Sequence, residues 1–148
     1  MFSQIVHEFL GVPFDKIRFV QGDTTQVAMG RGTYAARSSV CGGNALKDAS
    51  DKIIEKAKPM AAALMEAAEG DLEFKDGSFR VVGTDKAMAL TDVAKAFYAP
   101  MGPLTAKMGV GLEAAGNYAF DVPNHPNGCH VAEVEVDPET GSVAIDRY

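Results

Sequence analysis

Phe2, Ile5, Val6, Phe9 and Leu10 recur at three- and four-residue spacing. That period predicts a helix over residues 3–10, stopped by Gly11 and Pro13. Ile17–Gln21 reads as a strand. Gly22–Val40 has no sustained period and is rich in Gly, Thr and Ser, which predicts a loop. From Asn44 to about Ala68 the apolar positions Leu46, Ile53, Ile54, Ala57, Met60, Ala61, Leu64, Met65 and Ala68 return at helical spacing. They predict one long amphipathic helix ending near Gly70, with a kink or break at Pro59. Leu72–Phe74 and Phe79–Val82 flank Asp76-Gly77, a strong hairpin signal. Leu90-Thr91-Asp92 starts a short helix through Val93–Tyr98, and Pro100–Gly111 reads as a loop. Glu113–Phe120, Cys129–Val136 and Ser142–Tyr148 read as strands. Asp137-Pro138-Glu139-Thr140-Gly141 turns the last two into a pair. The expected class is α+β: a mixed, largely antiparallel sheet packed with one long and two short helices.

Length and composition narrow the possibilities. A chain of 148 residues makes one domain, or two very small ones. Folding at this size buries roughly 68% of the unfolded surface, so a real core is possible. Hydrophobic residues at 47% and charged residues at 23% exclude disorder as the main state. No apolar run approaches the ~20 residues that span a bilayer. Met1–Gly11 lacks the basic start and apolar stretch of a signal peptide. Cys41 and Cys129 are too few for a disulfide framework, which favours a reducing cytoplasm. The net charge of 14 − 20 = −6 and a pI near 5.0 argue against nucleic-acid binding.

Both ends are abrupt. The chain opens within a helical pattern and stops within a strand pattern, so residues 1–148 are expected to be one segment excised at both ends from a longer domain. The Phe2, Ile5 and Phe9 face would then lack its neighbours and drive self-association.

The loop Gly22–Gly43 carries the most chemistry. Between Asp23 and Asp48 there is no acidic residue, yet Arg31, Arg37 and Lys47 fall there. Glycines, hydroxyls, arginine and a helix start together suit a phosphate. An ordinary connecting loop whose glycines only make turns is the competing reading. Gly30-Arg31-Gly32-Thr33-Tyr34-Ala35 matches the dinucleotide pattern literally. The preceding strand ends too early and no acid closes a second parallel strand, so the match is rejected. Cys129-His130 with His125 does not have zinc-ligand spacing and reads as a buried cysteine beside a strand histidine. Glu133 and Glu135 read as a solvated strand face. Asp121, Asn124, Asp137 and Glu139 read as turn residues.

Taken together, Gln21-Gly22-Asp23-Thr24, Gly30-Arg31-Gly32-Thr33-Tyr34-Ala35-Ala36-Arg37-Ser38 and Gly42-Gly43 resemble the molybdenum hydroxylases. That family comprises the xanthine dehydrogenases and aldehyde oxidases, including the large chain of carbon monoxide dehydrogenase-type enzymes. Asp71–Phe74 with Asp76-Gly77, and Asn127–Gly141, extend the resemblance over essentially the whole chain. It implies one segment of a molybdopterin-binding domain of an oxidoreductase that hydroxylates carbon with oxygen from water. It also implies molybdenum on a pterin, in bacteria usually the cytosine dinucleotide form, with iron–sulfur and FAD partners. By position, Thr33, Ala35, Ala36, Arg37 and Ser38 would hold the phosphate end of the cofactor. Arg31 or Arg37 would meet the extra phosphate of the dinucleotide. The family's Gly-Gln-Gly cofactor segment lies before Met1 and its glutamate base beyond Tyr148. No catalytic residue or metal ligand is therefore expected within the chain, and no bound cofactor on the isolated segment. A free-standing phosphate- or nucleotide-binding module, and a scaffold without a ligand, are the other classes the residues admit.

Overall fold

In a computed structural model, the described residues are 1–27, 30, 32–99, 102–119 and 125–148. Helix α1 spans Phe2–Leu10, and a π-helical turn over Ser38–Gly42 runs directly into α2, Gly43–Met65. Strands β1 (Leu72–Lys75), β2 (Ser78–Val81) and β3 (Ala87–Ala89) precede α3 (Leu90–Phe97) and α4 (Pro103–Met108). A separate hairpin, β4 (Glu133–Val136) and β5 (Val143–Arg147), follows. The class is α+β, as the periodicities predict. The sheet is not single: strands β1-β2-β3 form one antiparallel sheet and β4-β5 another.

The core forms where α2 meets the first sheet and α3. Ala57, Met60, Ala61, Ala62 and Met65 of α2 are buried against Leu72, Phe79, Leu90, Val93 and Phe97. Leu72 pairs with Val81 and Phe74 with Phe79, so these four side chains share one sheet face. Glu73 pairs with Arg80 on the opposite, exposed face. Burial of each large apolar side chain contributes roughly 1.5–3 kcal/mol. The Asp76-Gly77 turn has positive φ at both residues (49° and 74°), the conformation that suits the twist of a tight hairpin. Gly77 also lies against Gly11, the left-handed cap of α1 (φ 64°). A Cβ on either glycine would strike the other's backbone, so this junction between helix and hairpin requires both.

Several expectations need correction. Residues 17–21 pair with no strand among the described residues. Helix α2 continues unbroken through Pro59, because the burial of Ala57, Met60 and Ala61 around it outweighs one missing hydrogen bond. It ends at Met65 rather than near Gly70, with Glu66 in the left-handed conformation, and Leu64 faces solvent. Strand β3 forms in a stretch to which the periodicities gave no element, and helix α4 forms where a loop was expected, giving three short α-helices rather than two among the described residues. In α4, Pro103 supplies a first position that needs no N–H, and the Gly102 N–H donates to Thr105 Oγ1 at 2.8 Å. Residues 113–119 are not a strand. They lie along α2, where the Asp48 carboxylate accepts from the Asn117 N–H (2.9 Å) and Lys52 Nζ donates to the Ala115 carbonyl (3.1 Å). Gly116 sits so close to α2 that a Cβ would overlap the Ala45 carbonyl.

The face of α1 expected to be uncovered is engaged. Phe2 and Ile5 pack on Gly42 and Gly43, and Lys47 Nζ lies 5.6 Å from the centre of the Phe9 ring. Exposed apolar surface gathers instead on β4–β5. Val134 pairs with Ile145 and Val136 with Val143, and all four are about half exposed or more. Glu133 and Glu135 are solvated, as alternation predicts. Cys129 is exposed, not buried, and His130 precedes the strand. Phe120, Asp121 and Asn124 lie outside the described residues.

Candidate functional site

A cavity of about 670 Å³ lies between α1, residues 19–24 and the π-helical turn. Thr33, Arg37 and Ser38 line it, together with Gly30, Gly32, Cys41 and Gly42. Phe2, Phe19 and Val20 form its apolar wall, and Gly22, Asp23 and Thr24 its rim. A cavity of this size, apolar on one side with a few convergent polar groups, is of the kind that takes small molecules and cofactors.

Local geometry explains the polar side. Ala35 and Ala36 have positive φ, 48° and 56°, which is uncommon for residues with a Cβ. This reversal brings Arg37 N–H to the Tyr34 carbonyl at 3.0 Å and Val40 N–H to the Ala36 carbonyl at 3.0 Å. It also closes Thr33 Oγ1 onto Ser38 Oγ at 2.7 Å. Ser38 therefore opens the helical run into α2, whose leading N–H groups carry partial positive charge. The Arg37 guanidinium stacks on the Tyr34 ring at 5.1 Å, and no carboxylate pairs with it among the described residues.

The positive island is smaller than the charges in sequence imply. Lys47 is drawn to Asp51 one turn along α2, and Arg31 lies outside the described residues. Asp23 does line the cavity. Its carboxylate accepts from Thr25 Oγ1 (2.6 Å), Thr25 N–H (2.9 Å) and Gln26 Nε2 (2.7 Å). The Thr25 side-chain bond above all, then its backbone bond and Gln26, holds the Asp23 pKa below its ordinary value.

Of the five residues expected to hold a cofactor, Thr33, Arg37 and Ser38 share the cavity wall. Ala35 and Ala36 form the turn behind it and are not among its lining residues. Phe2 and Phe19 were not singled out by sequence as site residues. Their signal is conformational: Phe19 is 52% exposed beside a cavity, and its ring centre lies 5.3 Å from that of Phe2. Elsewhere, His130 Nδ1 bonds the Tyr148 hydroxyl at 2.7 Å. Among the described residues no group of three or more His, Cys, Asp or Glu is placed to hold a metal. Among the described residues no helix is long and apolar enough to cross a membrane.

The glycine-and-hydroxyl turn, its arginine and the adjoining helix start define a cavity suited to a phosphate-bearing cofactor. Residues 1–148 match the molybdopterin cofactor-binding domain family along their whole length, and the chain belongs to that family. Among its relatives, it is 36% identical to the 6-hydroxypseudooxynicotine dehydrogenase complex subunit gamma of Paenarthrobacter nicotinovorans. It is also 36% identical to the carbon monoxide dehydrogenase large chain of Afipia carboxidovorans. Each alignment covers 99% of this chain and 18% of the relative, so the chain spans under a fifth of those proteins' length. A crystal structure of Cu,Mo-CO dehydrogenase superposes with a TM-score of 0.72 at 33% identity, over 99% of this chain and 18% of that one. Quinoline 2-oxidoreductase from Pseudomonas putida 86 gives 0.56 at 27% identity.

Proposed function

We propose that the chain holds the phosphate end of a molybdopterin cofactor in the large subunit of a molybdenum-dependent hydroxylase or dehydrogenase. The observation that carries this reading is the Thr33–Ser38 turn, which brings two hydroxyls and an arginine to one cavity wall at a helix start. Of the Thr33–Ser38 hydroxyl pair, one proton closes their mutual bond and the other donates to a phosphate oxygen, while Arg37 supplies the charge. The cofactor, when bound, supplies the two-electron acceptor for placing water-derived oxygen on carbon. Family membership supports the pterin. The cytosine dinucleotide form accords with the cavity's size, and its second phosphate gives Arg37 a partner. Residues 1–148 then act as one segment of a larger domain and contribute no base or metal ligand.

The relatives' names, a complex subunit and a large chain, support partner subunits in the whole enzyme. In this reading these carry iron–sulfur clusters and FAD, and the enzyme works in the cytoplasm. Two free cysteines, one of them exposed, accord with a reducing compartment.

Calorimetric titration with pyrophosphate tests the cradle. Arg37→Glu removes a charge-assisted contact and is expected to weaken pyrophosphate binding by about tenfold or more, with an unchanged unfolding midpoint. Unchanged affinity in this variant would remove the turn from the site.

A further inference from the structure

The turn that opens α2 has an uncommon form with a geometric consequence. Ser38–Gly42 is π-helical. A π turn closes its hydrogen bonds over five residues where an α turn uses four, so it carries one extra residue. Each residue of an α-helix advances about 100° around the axis. Helix α2 is fixed by its buried residues, so an ordinary α turn in place of the π turn would rotate everything before it by about 100°. Arg37 and Ser38 line the cavity in the π form and would swing off its wall in the α form. The hydrogen bonds at the junction resist that change. The Gly43 N–H is shared between the Ser39 and Val40 carbonyls. Asn44 Nδ2 completes the Val40 carbonyl, donating to it at 2.8 Å. On the leading side Ser39 Oγ donates to the Ala36 carbonyl at 3.1 Å. Both side-chain bonds span four residues or fewer, so they need no element beyond the turn itself. Asparagine is a weak helix former at such a position, and its side chain competes with the backbone ladder, which is what the turn requires.

We propose that Asn44 is a positioning residue for the phosphate cradle. Its amide holds the Ser38–Gly42 turn in the π form, and the π form turns Arg37 and Ser38 into the cavity. This rests on the proposed cradle and adds the side chain that sets its orientation without touching the phosphate.

The test pairs calorimetry with pyrophosphate and amide spectra of the same chain. Asn44→Ala removes the donor and is expected to weaken pyrophosphate binding about threefold to tenfold. Its unfolding midpoint should be unchanged or higher, because alanine is the better helix former; a merely structural loss would lower both. The amide resonances of residues 37–42 should move, while those of residues 50–65 stay in place. Asn44→Ser can still donate to the carbonyl four residues back and should restore wild-type affinity and turn resonances. Wild-type affinity in Asn44→Ala overturns the proposal, as do unmoved turn resonances or an equal loss in Asn44→Ser. Arg37→Glu reports separately on the cradle: if it leaves pyrophosphate affinity unchanged while Asn44→Ala moves the turn resonances, the phosphate reading fails and Asn44 still holds the turn.

Discussion

The paired alanines at 35 and 36 give a prediction whose sign runs against ordinary experience. Replacing alanine by glycine inside a helix costs about 1 kcal/mol. Ala35 and Ala36 instead hold φ at 48° and 56°, where a Cβ crowds the following carbonyl at roughly 1–2 kcal/mol per residue. Glycine relieves that crowding but has more freedom to lose on folding, about 0.4–1 kcal/mol. The difference is about 0 to 1.6 kcal/mol in favour of glycine at each site. Ala35→Gly with Ala36→Gly should therefore stabilise the chain, by up to about 3 kcal/mol. With a urea slope of about 2 kcal/mol/M the unfolding midpoint rises by up to about 1.6 M. Ala63→Gly, exposed in the last turn of α2, is the control and should lower the midpoint, by up to about 0.5 M. A destabilised double variant would refute the assigned backbone conformation. If the strain maintains a preformed cradle, the stabilised variant binds pyrophosphate no better than wild type, since its turn is free to leave the binding conformation.

Two further outcomes follow from the contacts. Asp48 is held below its ordinary pKa chiefly by the Lys52 ammonium and next by the Asn117 N–H. A depressed carboxylate contributes stability above about pH 3.9, lost as pH falls through its folded value. The Asn117 amide resonance should therefore shift with a midpoint below that pH, and Asp48→Asn or Gly116→Ala should speed amide exchange over residues 113–119 while the core stays protected; unchanged exchange in both variants would show that neither contact holds the segment. The apolar β4–β5 face should drive concentration-dependent self-association, which Ile145→Lys reduces in sedimentation; a wild-type chain that stays monomeric at high concentration would contradict this.

Much of the architecture is legible in the chain's local chemistry. The Asp76-Gly77 turn, the Asp137–Gly141 turn, Gly11 as a helix stop and the long period of α2 all depend on interactions within a few residues. The Thr33–Ser38 stretch is legible as well, because glycines, hydroxyls and unopposed arginines cluster there and repeat a family pattern. Which stretches became strands was decided elsewhere. Residues 17–21 and 113–119 read as strands in sequence, but a strand exists only where a partner accepts its hydrogen bonds. The second stretch found Asp48 and Lys52 on a helix instead. Lys47 counted toward a positive loop until the helix period placed Asp51 beside it. The ring wall of Phe2 and Phe19 could not be read from a separation of 17 residues in sequence. It exists because Gly42 leaves room for one ring and the second lies against it, and only the folded chain brings those three positions together.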